Sequence, residues 1–176
     1  MQNIIDLALS LGFSHVSPLD PGTLRFLPEV RAMCAADKCR SYGKNWSCPP
    51  NCPSLEEMTR RAKGYHRGIL VQSVGQMEDD FDFETMMETE QLQKDRFYAL
   101  AAAIKQDYPG CLPMSAGACT LCKHCACPEN PCRHPETLYP SMEACGLMVS
   151  DTCRENGMDY YYGKGTITFT SCILID

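Results

Sequence analysis

Two cysteine-rich stretches dominate this sequence of 176 residues: CAADKCRSYGKNWSCPPNC at 34–52 and CTLCKHCACPENPC at 119–132. They hold four and five of the chain's 13 cysteines, respectively. Packing gives no reason to gather thiols in polar, proline-rich segments, because a buried cysteine behaves as a small apolar residue. We therefore interpret both stretches as metal-binding loops on one scaffold.

The second stretch has the spacing C-x2-C-x2-C. Its three cysteines are Cys119, Cys122 and Cys125. This spacing lets a short loop supply three corners of a [4Fe–4S] cluster, with the fourth ligand placed farther along the chain. Glu129 stands where a ferredoxin run has its next cysteine, so Cys127 and Cys132 are both candidates. We favour Cys132, because the turn-forming residues PENP allow the chain to double back.

Zinc is the main alternative to iron–sulfur at the second stretch. Structural zinc sites usually combine two C-x2-C pairs that are well separated in sequence. Three cysteines at successive three-residue steps fit a cluster better.

The first stretch has the spacing C-x4-C-x8-C-x3-C, which fits zinc and iron–sulfur about equally. Its four cysteines are Cys34, Cys39, Cys48 and Cys52. The cations around them are Arg31, Lys38, Arg40 and Lys44, against the single acid Asp37. This local excess of positive charge favours an anionic thiolate cluster. Trp46, the only tryptophan, either shields such a cluster or packs for burial alone.

Composition and charge argue against secretion, membrane insertion and nucleic-acid binding. A disulfide scaffold is usually short, secreted and even in cysteine count, unlike this chain. The first residues, MQNIIDLALSLGF, lack Lys and Arg and are atypical of a secretory signal. No apolar run approaches the ~20 residues of a membrane span. The net charge of −6 is unsuited to phosphate backbones. We expect a cytoplasmic protein that binds neither nucleic acid nor membrane.

Periodicity and turn residues predict an α+β fold, a single domain over 1–176 with helices packed on one mixed sheet. We expect helices at 2–12, at 54–62 after the N-cap Ser54, at 84–107, near 141 and at 149–156, and strands at 15–17, 67–74, 112–116 and 166–175. Cysteines on these elements are expected to be buried. They are Cys145, Cys153 and Cys172.

Four segments carry a resemblance to a known family. They are CRSYGKNWSCPP at 39–50, AGACTLCKHC at 116–125, PCRHP at 131–135 and PSMEA at 140–144. With Cys34 and the final strand, they resemble the DUF2284 family of predicted metal-binding proteins, found mostly in anaerobic bacteria and archaea. The resemblance implies metal binding of the iron–sulfur type and supports Cys132 over Cys127 as a ligand. It implies no reaction.

The sequence thus favours a carrier of two [4Fe–4S] clusters that passes electrons to a redox partner protein. One alternative is a non-redox interaction protein whose loops are held in place by structural zinc. The other is a reductase component acting on a corrinoid or other small cofactor, by fold-level analogy.

Overall fold

One four-stranded sheet organises the chain. The computed structural model describes residues 1–176. The strands are β1 (His15–Leu19), β2 (Arg67–Gln76), β3 (Leu112–Met114) and β4 (Thr166–Ile175). Their order in the sheet is β1-β2-β4-β3, and every neighbouring pair is antiparallel. The α+β class is therefore confirmed.

The expected mixture of strand directions within the sheet is wrong. A helix between two strands suggests parallel neighbours, because a crossover connection returns the chain in the same direction. Strands β2 and β3 do run in the same direction, but β4 lies between them and is antiparallel to both. The order of elements along the chain does not reveal this insertion of the last strand.

Five helices accompany the sheet. They are α1 (Gln2–Ser10), α2 (Pro28–Met33), α3 (Leu55–Ala62), α4 (Phe83–Asp107) and α5 (Val149–Glu155). The predicted cap of α3 is confirmed, since the backbone N–H of Glu57 donates to the Ser54 hydroxyl over 3.1 Å. None of the helices is both long and apolar enough to cross a membrane.

The helix expected near residue 141 is absent. Residues 142–146 form a turn instead. The hydroxyl of Ser141 accepts from the N–H of Ala144 at 3.1 Å, as a helix cap would. Gly146 follows with φ at +92°, a left-handed conformation that ends the turn before a helix can propagate.

The core lies on both faces of the sheet, as the alternation of side chains along a strand requires. On one face, Leu70 and Leu174 pack with residues of α3 and α5. On the other, Ile69 and Ile173 pack with α1 and α4. The predicted burial of three cysteines is confirmed, although Cys145 lies in the turn at 142–146 rather than on a helix. Cys145, Cys153 and Cys172 all belong to the first core.

Two phenylalanines of α4 give a matched test of this core. Phe97 is fully buried, whereas Phe83 is 62% exposed. We expect Phe97→Ala to lower the free energy of unfolding by about 3–5 kcal/mol, because it leaves a cavity against the sheet. Phe83→Ala should change it by less than about 0.5 kcal/mol. Denaturant unfolding followed by circular dichroism measures both, and equal losses would contradict the assignment of the core.

Candidate metal centre

The four thiols of the first stretch lie near one another. Cys34 ends α2, whereas Cys48 and Cys52 are buried in the loop that leads to α3. Burial raises the pKa of the Cys48 thiol to about 11, and charge repulsion from Cys39, Cys52 and Cys34 contributes to the rise. These charge effects place the four predicted ligands of the first stretch in one neighbourhood, and we call them the first thiol group (Cys34, Cys39, Cys48 and Cys52).

One predicted cation lies directly at the first thiol group. The Arg31 guanidinium donates from Nη1 to the carbonyls of Pro53 and Ala144 at 2.7 and 2.8 Å. Burial raises the pKa of Cys52, and Arg31 opposes that rise by favouring the thiolate. Lys44 instead pairs with Asp37 at 3.2 Å. Arg31 is therefore the cation placed to favour a thiolate at Cys52.

The second stretch contacts helix α4. The hydroxyl of Tyr98 donates to the Cys119 sulfur over 3.7 Å. Burial raises the pKa of Tyr98, and the neighbouring thiols of Cys119 and Cys132 raise it further. Tyr98 thus lies close to two of the four predicted ligands of this stretch. Cys122 and Cys125 are half-buried in the same loop.

Cys127 contacts two residues of the first stretch. Its sulfur accepts a hydrogen bond from the Asn51 amide at 2.9 Å and lies 3.8 Å from the Gly43 carbonyl. Both partners belong to the first stretch. Cys127 is thus placed at the contact between the two loops.

Hydrogen bonds join the two cysteine-rich loops directly. The Asn45 amide donates to the Cys119 carbonyl, and the Cys119 N–H donates to the Ser47 hydroxyl, both over 2.9 Å. The Trp46 indole N–H donates to the Asn130 carbonyl at 3.0 Å. Through this hydrogen bond Trp46 connects the first loop to the second, a role that the sequence did not suggest.

As the side chains stand, no three of the Cys, His, Asp and Glu residues form a group that could hold a metal ion. Tetrahedral zinc would need four sulfurs about 3.8 Å apart, given Zn–S bonds of about 2.3 Å. Sulfur is nonetheless the ligand that soft metals prefer, and the Tyr98 hydroxyl and the Asn51 amide donate to the sulfurs of Cys119 and Cys127. The ligand roles of all eight cysteines remain a prediction.

A cavity of about 360 Å³ adjoins the first thiol group. Cys34, Cys39 and Cys48 line it, together with Glu143 and part of β4. The Glu143 side chain is accessible from this cavity, but the protein surrounds its carboxyl group closely, and desolvation raises the pKa. In the sequence, Glu143 stands out only as part of the helix signal after Ser141 and of the PSMEA motif. Tyr98, in the middle of a long helix, carries no signal at all.

The DUF2284 family model, described as predicted metal-binding protein, matches residues 17–175. The chain belongs to this family. No curated protein and no solved structure matches the chain. Membership in DUF2284 supports metal binding but specifies neither the metal nor a reaction.

Ser47 provides a test of the contact between the loops. It is 1% exposed and accepts the Cys119 N–H. We expect Ser47→Ala to cost about 1–3 kcal/mol of stability, because it leaves a half-buried N–H unpaired. Limited proteolysis should then cut the second loop faster.

Ser41→Ala is the control for Ser47→Ala. The Ser41 hydroxyl bonds only to the nearby Cys39 carbonyl, at 3.3 Å in an accessible position. Cleavage of both variants at the wild-type rate would show that the loops do not hold each other.

Proposed function

We propose that this DUF2284 protein holds two [4Fe–4S] clusters and passes electrons to a redox partner protein. The first thiol group would bind one cluster. A second thiol group, consisting of Cys119, Cys122, Cys125 and Cys132, would bind the other. The observation that carries the proposal is the direct contact between the two sulfur-bearing loops through Asn45, Ser47 and Cys119.

Each cluster would supply one-electron chemistry. The chain's contribution is to hold the sulfurs, shield them and set their electrostatic surroundings. Cys48 and Cys52 are buried, and Arg31 favours the thiolate at Cys52. The hydroxyl of Tyr98 donates to the Cys119 sulfur. Buried thiolates with such donors are typical of centres whose potential the protein adjusts.

A reductase component is the second candidate, and one specific observation favours it. The cavity beside Cys34, Cys39 and Cys48 gives a small molecule access to the first thiol group. A pure electron carrier needs no such space.

The 13 free thiols fit a reducing compartment, and we propose the cytoplasm.

Removal of one ligand tests the two-cluster proposal. In protein reduced without oxygen, electron paramagnetic resonance should detect two reduced clusters. Cys122→Ser should remove the signal of the second cluster and leave that of the first, because the two thiol groups are separate. Persistence of both signals would refute the assignment of the second thiol group.

Cys153→Ser is the matched control for the loss of a thiol. Cys153 is fully buried in the core of the sheet, away from both loops. Both cluster signals should survive this substitution. Loss of a cluster from Cys153→Ser would mean that general destabilisation, rather than ligand removal, explains the result with Cys122→Ser.

Tyr98→Phe tests the electrostatic surroundings of the second thiol group. A hydrogen bond to a ligand sulfur stabilises the more negative, reduced state of a cluster. We therefore expect Tyr98→Phe to lower the reduction potential of one cluster and leave the other unchanged in a redox titration. Tyr139→Phe is the control, because Tyr139 stacks on Tyr98 at 5.3 Å and its loss of a hydroxyl leaves the bond to Cys119 intact.

A further inference from the structure

The cavity beside the first thiol group extends from the first cysteine-rich loop to the segment that leads into the second. Its walls include Cys34, Cys39 and Cys48 of the first loop and residues 116–118, which directly precede Cys119. Residues 167–170 of β4 form a further wall. The volume of about 360 Å³ lies at the lower end of the range for small-molecule pockets.

A free strand edge lies at this cavity. Strand β2 pairs with the whole of β4 on one side, but β3 pairs only with Cys172–Leu174 on the other. The chain then leaves β4, because the Ser115 N–H donates to the Pro140 carbonyl at 2.8 Å instead. The outer edge of residues 167–170 is left without a strand partner where these residues line the cavity. Its N–H and C=O groups are available to a ligand.

The charges around the cavity disfavour an anionic ligand. No Lys, Arg or His lines it, and Glu143 is the only carboxylic acid that does. The thiols of the first group add further negative charge when they bind metal. The mainly apolar walls penalise any unpaired charge. The negative charge thus disfavours an anion, and the mainly apolar walls favour an uncharged ligand.

The polar groups and rings of the walls define the ligand further. Tyr42, Tyr160 and Thr168 are among the residues that line the cavity, and each carries a hydroxyl group able to donate to a carbonyl oxygen. The rings of Tyr42 and Tyr160 are aromatic surfaces of the kind on which a flat ring packs. The strand edge supplies N–H donors of the same kind.

We propose that the cavity binds an uncharged, planar ring compound that carries ring carbonyl groups, such as a small quinone. The inference rests on the proposed function in one respect, because the ligand would lie against the metal held by the first thiol group. This chain would then bind a small molecule in addition to a protein partner.

Equilibrium dialysis of the metal-loaded protein without oxygen tests the proposal. The probe is duroquinone, in which every ring carbon open to thiol addition already carries a methyl group. The comparison ligand is trimethylbenzoate, an anion of similar size. We expect duroquinone to bind at one site and trimethylbenzoate to bind more weakly by about tenfold or more, which corresponds to about 1.4 kcal/mol.

Two pairs of variants locate the binding site. Thr168→Trp fills the cavity and should abolish binding, whereas Thr137→Trp, at an exposed position outside it, should not. Tyr160→Phe removes one donor and should weaken binding about threefold. Tyr161→Phe, on the neighbouring residue outside the cavity, should have no effect. The Tyr160→Phe pair gives a result even if Thr168→Trp does not fold.

Iron content measured on the same samples separates this inference from the proposed function. Iron-loaded protein that does not bind duroquinone would overturn the inference, as would a folded Thr168→Trp variant that binds like wild type. A metal centre that itself fills the cavity would also prevent iron-loaded protein from binding duroquinone, and it would overturn the inference in the same way. Protein without iron that binds duroquinone in a Thr168-dependent way would support the ligand site and contradict the proposed clusters.

Discussion

The divergence of the chain at Ser115 sets the geometry of the whole site. Up to Met114 the chain pairs with β4, and from Ser115 it pairs with the segment 140–142. This change of partner directs residues 116–118 away from the sheet and brings Cys119 to the first loop. It also leaves the edge of β4 open and so creates the cavity. A segment that continued along β4 would remove the free edge.

The loops around this point have little regular structure, so their order depends on a few specific contacts. Backbone groups in such segments need partners outside helices and strands. Asn45, Ser47 and Trp46 supply them across the contact between the loops. Burial of the thiols adds a second constraint, because it favours the protonated form, as the raised pKa of Cys48 indicates. Metal binding would have to displace protons from such thiols.

The sequence predicted the individual elements well, because each depends on local signals. The cap at Ser54 and the bounds of β4, which match the predicted strand at 166–175, are examples. Strand order was not predictable in this way, since the insertion of β4 between β2 and β3 is a long-range choice. The two cysteine-rich loops were visible from spacing alone. The positions of Tyr98 and Glu143 beside the thiols were not, because both depend on how distant segments pack.

The proposed electron transfer depends on eight cysteine sulfurs that hold iron and inorganic sulfide in two groups. Chemical analysis of protein prepared without oxygen tests it most directly. We expect about eight iron and eight sulfide ions per chain, as two [4Fe–4S] clusters require, with little zinc. One or two zinc ions per chain without sulfide would contradict it.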